Sequence, residues 1–216
     1  MTTPIEKKYI ASRSKSEEKF KSAQDLFPNG VTHDARMMSP FPYYISHSEG
    51  SKKWDIDGNE YVDYKSGHGS MLLGHAHPEI VKAVSETVAK GSLPGASTEL
   101  EVAWGKAIQD LVPSAERIRF TSSGTEADMM GMRIMRAYTG KNKIVKFEHH
   151  FHGWSDCASA TGGADDNWEY GVPQQILDTM IVIQPNDISI LENLLNKDDD
   201  IAGVMLEPTG AHMGLH

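Results

Sequence analysis

Chemistry is concentrated in three short stretches of this chain. In the first, Thr121-Ser122-Ser123-Gly124-Thr125-Glu126-Ala127, a β-prone run over 118–121 passes into a strongly helical one beginning at Glu126. The first backbone N–H groups of a helix have no partner within it and lie at the positive end of its dipole, so such a junction is an anion site. Gly124 lets the backbone come close to a ligand, and the hydroxyls of Ser122, Ser123 and Thr125 add donors. The same residues also make an ordinary capping box, Ser123 with Glu126 in S-x-x-E spacing and no ligand at all. Both readings stand on these residues. The second stretch is His149-His150-Phe151-His152-Gly153-Trp154, directly after a β-prone run ending at Phe147. Its histidines, with His75 and His77 earlier, offer the nitrogen ligands of a metal site, as a metal-dependent hydrolase would need. Against that, adjacent His149 and His150 project differently, no Cys/His spacing of a zinc module is present, and Gly-His-Ala-His-Pro reads as a tight turn before a helix. A third reading makes Phe151 a flat apolar wall for a planar ligand, with His152 hydrogen-bonding beside it. The last stretch, 31–42, carries Pro40, Pro42 and one arginine, Arg36, which is either a surface charge or a carboxylate ligand.

Positioning these groups requires two kinds of element. Residues 5–27 read as a polar helix with Phe20, Ala23, Leu26 and Phe27 on one side, closed by Pro28-Asn29-Gly30. A small antiparallel meander follows, with strands over 43–45, 53–56 and 60–64 and a turn at Asp57-Gly58-Asn59. Beyond the glycine-rich 67–74 the pattern alternates between helix and strand. One helix opens at Pro78 with an apolar stripe of Ile80, Val81, Val84 and Val88; another starts at Thr98 and is expected to bury Leu100, Trp104 and Leu111. Strand 118–121, helix 126–138, strand 144–147, strand 180–183, helix 188–195 and strand 202–206 complete the series. Such alternation implies an α/β architecture, a mostly parallel sheet covered by helices. Ligands collect at the carboxyl ends of strands in these sheets, where residues 122–125, 149–153 and Glu207 all fall.

Composition bounds the remaining possibilities. With 216 residues, 39% of them hydrophobic, the chain is long enough for one large domain or two small ones with a substantial core. No apolar run reaches membrane-spanning length and the first residues contain no apolar signal core, so neither a membrane span nor secretion is indicated and a cytoplasmic address is expected. Cys157, the single cysteine, excludes an internal disulfide framework. A formal charge of -9 argues against binding to nucleic acid.

The runs DIDGNEYVDY, LLGHAHPEI, GASTELE, FTSSGTEADMMGMRIMRAYTGKNKIVKFEHHFHGWSD and LEPTGAHMG, in register from about Phe27 onward, resemble the class III aminotransferases, the group that includes glutamate-1-semialdehyde 2,1-aminomutases. The resemblance implies fold type I of the pyridoxal-phosphate enzymes and a homodimer that transfers an amino group on a small amino or keto acid. It divides the chain into an N-terminal arm and meander, 1–66, and the first part of a large cofactor domain, 67–216. By the same resemblance Ser123, Gly124 and Thr125 hold the phosphate of pyridoxal 5'-phosphate. Phe151 stacks on its ring, with His152 and Glu207 beside it, and Arg36 and His68 face the substrate. In this family the Schiff-base lysine and the carboxylate that protonates the ring nitrogen come after the Glu-Pro segment, so here the lysine is expected after His216, the last residue of the sequence. The chain is therefore expected to be an N-terminal portion lacking that lysine, which makes a non-catalytic binding role for these 216 residues an open alternative. His68, Phe151 and Trp154 stand where the aminomutases usually have Trp, Tyr and His, and residues 162–173 differ from their mobile loop. These departures keep intermolecular transamination open beside mutase action.

Overall fold

The computed structural model describes residues 2–162 and 169–208. They fall into two units that divide between Thr98 and Glu99.

In the first unit the single helix expected over 5–27 is two, α1 (Pro4–Ala11) and α2 (Ser14–Gln24). A capping box starts α1: Thr3 Oγ1 accepts the Glu6 N–H at 3.2 Å and the Glu6 carboxylate accepts the Thr3 N–H at 2.6 Å. What starts α2 is a side chain from far along the chain. The Asp57 carboxylate accepts the N–H groups of Lys15 and Ser16 at 2.8 and 3.0 Å and the Ser16 hydroxyl at 2.6 Å, placing negative charge at a helix N-terminus. Strands β1 (Ile45–Glu49), β2 (Lys52–Asp55) and β3 (Glu60–Val62) form an antiparallel meander in chain order, as expected, but its first strand lies at 45–49 and not over 43–45, because the residues that pair with β2 are Ile45 and His47–Glu49. Its turn is closed by the buried Asp55 carboxylate, which accepts the N–H groups of Asp57 and Asn59 at 3.0 and 2.8 Å and the Tyr61 hydroxyl at 2.6 Å. The Arg13 guanidinium donates in turn to the Tyr61 oxygen at 2.9 and 2.7 Å. Burial and the Asp55 bond push the Tyr61 phenol up to about 12. Helix α3 (Pro78–Val88) follows, opened by Pro78.

The second unit contains α4 (Glu99–Leu111), α5 (Gly124–Thr139), β4 (Lys143–Phe147), α6 (Gln174–Leu177), β5 (Met180–Ile183), α7 (Ile188–Lys197) and β6 (Ile201–Met205). The sheet is parallel, in the order β5-β4-β6. Central β4 fits its place: Ile144 and Val145 are wholly buried, as a strand covered on both faces requires. Met132, Ile144, Ala158, Ala160, Met180 and Ala202 form the core. Gly203 lets α5 lie on β6, since a Cβ there would fall against the Met135 sulfur. Gly140 ends α5 with φ 70°, the left-handed cap that glycine favours.

Two expectations fail in this unit. Residues 118–121 have no ladder partner among the described residues and form no strand; β-propensity without a neighbouring strand does not make one. Phe120 instead stacks on Trp104, ring centroids 3.8 Å apart. Leu100, Trp104 and Leu111 of α4, expected to be buried, are exposed. Among the described residues no helix is long and apolar enough to cross a membrane.

Candidate functional site

Three loops meet in the second unit: the start of α5, the turn after β4 and the end of β6. Ser123 is the N-cap of α5, its hydroxyl oxygen accepting the Glu126 N–H at 3.2 Å, while Thr121 Oγ1 donates to the Ser123 carbonyl at 2.9 Å. The cap is therefore built. Even so, Gly124 and Thr125 supply the first two N–H groups of a helix of 16 residues, which have no partner inside it. After β4, the chain turns back so that Gly153, with φ +84°, lies against Thr125. A Cβ at Gly153 would collide with Thr125 Oγ1 and stand 2.8 Å from its Cα. Only a glycine permits this approach, by its backbone angle and by its missing side chain. The flank of Phe151 and His152 is thereby brought to the helix N-terminus.

The end of β6 is tied to the same turn by a reciprocal pair of hydrogen bonds. The Phe151 N–H donates to Glu207 Oε2 at 2.9 Å, and the Glu207 N–H donates to His150 Nδ1 at 3.0 Å. Phe151 keeps 41% of its surface exposed, whereas His152 keeps 5%. The His152 Nε2 atom is buried with no hydrogen-bond partner among the described residues, and its Nδ1 lies 4.0 Å from Asp128 Oδ2. Burial and then the neighbouring Lys146 ammonium hold this imidazole below its ordinary pKa, against the pull of Glu207. Burial and the Glu207 charge push the Asp128 carboxyl up. The wall thus combines a neutral buried imidazole, an aromatic face and helix N–H groups, a donor set suited to a planar, anionic ligand.

Lys146, His150 and Asp128 have roles that sequence reasoning missed. Lys146 is buried and donates to the carbonyls of Ala158 and Ala160 at 2.7 and 3.0 Å; burial lowers its pKa. Its only sequence signal is a lysine inside an apolar strand. Asp128 sits one turn into α5, and nothing in its spacing pointed to His152.

Arg36 and His68 come together in the first unit. Both line an open cavity of about 810 Å³, with Phe27, Met38, Tyr43 and Tyr44 also on its wall. Arg36 ends a 3₁₀ turn (Asp34–Arg36) and donates from Nη1 to Thr32 Oγ1 at 2.5 Å. On the same cavity, the Asp63 carboxylate meets His75 Nε2 at 2.7 Å and accepts from Lys53 Nζ at 2.9 Å. His75 and His77 do not converge as ligands: one is on Asp63, and the other is the N-cap of α3. Among the described residues no group of three or more His, Cys, Asp or Glu could hold a metal ion. Residues 163–168 of the loop read as departing from the aminomutases lie outside the described residues. So do residues 209–216, which hold the rest of the Leu-Glu-Pro motif and end at His216, the position after which the lysine is expected.

A family profile described as Aminotransferase class-III matches residues 33–216. Over 209 residues the chain is 41% identical to a glutamate-1-semialdehyde 2,1-aminomutase of Natranaerobius thermophilus, covering 93% of this chain and 49% of that protein. Over 213 residues it is 42% identical to glutamate-1-semialdehyde 2,1-aminomutase 1 of Staphylococcus aureus, covering 94% and 49%. Among solved structures it is similar to an omega-transaminase from Sphaerobacter thermophilus, with TM-score 0.87, 33% identity and coverage of 93% and 49%. A transaminase with PLP bound gives TM-score 0.88, 34% identity and coverage of 94% and 49%. The chain spans about half the length of the relatives it matches.

Proposed function

The chain belongs to the class III aminotransferase family, and we propose that the whole protein carries out pyridoxal-phosphate-dependent amino-group transfer on a small carboxylate-bearing substrate, as a homodimer in the cytoplasm. The observation that carries the cofactor assignment is the contact of Gly153 with Thr125. It packs the turn that carries Phe151 against the first residues of α5, whose N–H groups have no partner inside the helix, an arrangement that suits a flat molecule with a phosphate on one side. In this reading Gly124 and Thr125 give backbone N–H groups to the phosphate, and the Ser123 and Thr125 hydroxyls give further contacts. Phe151 lies along the ring, while His152 and Glu207 flank it. Bound pyridoxal phosphate supplies an electron sink for the carbon that carries the amino group. Arg36 takes the substrate carboxylate with its paired donors, and His68 lines the same cavity.

The lysine that exchanges protons in this family is assigned beyond His216, outside these 216 residues. Supporting that, Lys143 is paired with Asp198 at 2.7 Å and Lys146 is spent on two carbonyls. Borohydride reduction in the presence of pyridoxal phosphate, with peptide mass spectrometry, is the test. The whole protein should show one stoichiometric lysine adduct and turn over an amino donor, whereas the 216-residue chain alone should show neither. A stoichiometric adduct with turnover in the 216-residue chain would sink the assignment. Intermolecular transfer requires an added keto acid and gives ping-pong kinetics, whereas mutase action forms product from one substrate. In the whole protein Arg36→Lys should raise KM for carboxylate substrates well above its effect on amines lacking the group; equal effects would return Arg36 to a surface charge.

A further inference from the structure

We propose that His150 is a positioning residue, which holds Phe151 in place for the cofactor by accepting a hydrogen bond from the backbone of β6's end. The inference rests on the reading of Phe151 as the cofactor's wall. A backbone N–H can only donate, so the 3.0 Å bond from Glu207 to His150 Nδ1 requires that nitrogen to be bare. The ring is then the neutral tautomer with its hydrogen on Nε2. Two residues of one turn and one residue of another loop thus share a closed pair of bonds, His150 accepting from the Glu207 backbone and the Glu207 side chain accepting from the Phe151 backbone at 2.9 Å. At 41% exposure Phe151 is only partly held by packing, so these bonds matter to its position. The His150 ring is itself set by Phe147 on β4, at 5.3 Å between centroids.

The test uses the whole protein with His150→Phe, which keeps a ring against Phe147 but has no acceptor, and His150→Asn, whose carbonyl oxygen stands near the Nδ1 position. In the cofactor-free protein, hydrogen exchange of the peptides containing Phe151 and Glu207 should quicken about tenfold in His150→Phe, the scale of one lost bond, and stay near wild type in His150→Asn. Pyridoxal phosphate affinity should follow the same order. Equal exchange in the two variants, or an ¹⁵N spectrum showing His150 Nδ1 protonated at neutral pH, would overturn the bond. Altered exchange with unchanged cofactor affinity in His150→Phe would overturn the role toward the cofactor and, separately, the reading of Phe151 as its wall.

Discussion

The two units are held by opposite means. In the first, strands of five, four and three residues bury little apolar surface, and three carboxylates fix the turns instead: Asp55 closes the meander, Asp57 starts α2, and Asp63 ties Lys53 to His75. In the second, a parallel strand buries Ile144 and Val145 completely, Ile144 against methionines and alanines, and its one buried charge, Lys146, is held by carbonyls. Short antiparallel strands with an open face leave stability to directional bonds, while a strand covered on both sides leaves it to volume and shape. The first unit should therefore fail when an acceptor is removed, and the second when its packing is changed.

The largest effect is expected from Asp55→Ala, which strips the acceptor from two N–H groups and the Tyr61 hydroxyl and takes the counter-charge from Arg13, 3.7 Å away. Breaking a buried, hydrogen-bonded charge network in this way costs about 3–5 kcal/mol. Urea unfolding followed by hydrogen exchange should show protection lost in β1–β3 first and retained in β4–β6. Loss of both together would mean that the units do not differ as described. Gly203→Ala is the counterpart in the sheet. The added methyl meets the Met135 sulfur and, at 3.1 Å, its Cγ; an overpacking cost of about 1–3 kcal/mol is expected, confined to α5 and β6. If Met135 swings aside, the variant will match wild type, and the Gly203 contact is then loose.

The smallest effect separates the units by pH. His75 and Lys53 hold the Asp63 carboxyl well below its usual range, so its contribution is present above the ordinary carboxylate pKa of about 4 and is lost only as pH falls through the depressed value. His152 is depressed as well, but for a base the consequence lies elsewhere. Below about 6.5 the unfolded chain takes up a proton that the folded imidazole refuses, so stability falls as pH drops through that value. Between about pH 6.5 and 5 the second unit should weaken while the first holds, and His152→Phe should flatten that slope. An unchanged slope in the variant would assign the acid sensitivity to another group.

Local signals carried much of this structure. Pro78 opens α3, Gly140 closes α5, and the strands at 144–147, 180–183 and 202–206 fall within a residue of β4, β5 and β6. The Ser-Ser-Gly-Thr-Glu junction was legible because a cap and its helix are made by neighbours in the chain. The break between α1 and α2 was not, since Asp57 lies 42 residues from Lys15. Nor was the fate of 118–121, because a strand exists only when another pairs with it.

Residue types and spacing alone picked out the groups proposed to carry the chemistry: hydroxyls and a glycine before a helix, an aromatic and histidines after a strand, a glutamate after another. Only the tertiary structure decided how they are coupled. It set Gly153 on Thr125, gave His150 and Glu207 their reciprocal bonds, buried His152 beside Lys146, and gathered Arg36 with His68 on one cavity. Periodicity and capping act over three or four residues and are written in order along the chain. Hydrogen bonds between strand ends join residues 57 apart, and these depend on how strands pair and loops return, which no local pattern encodes.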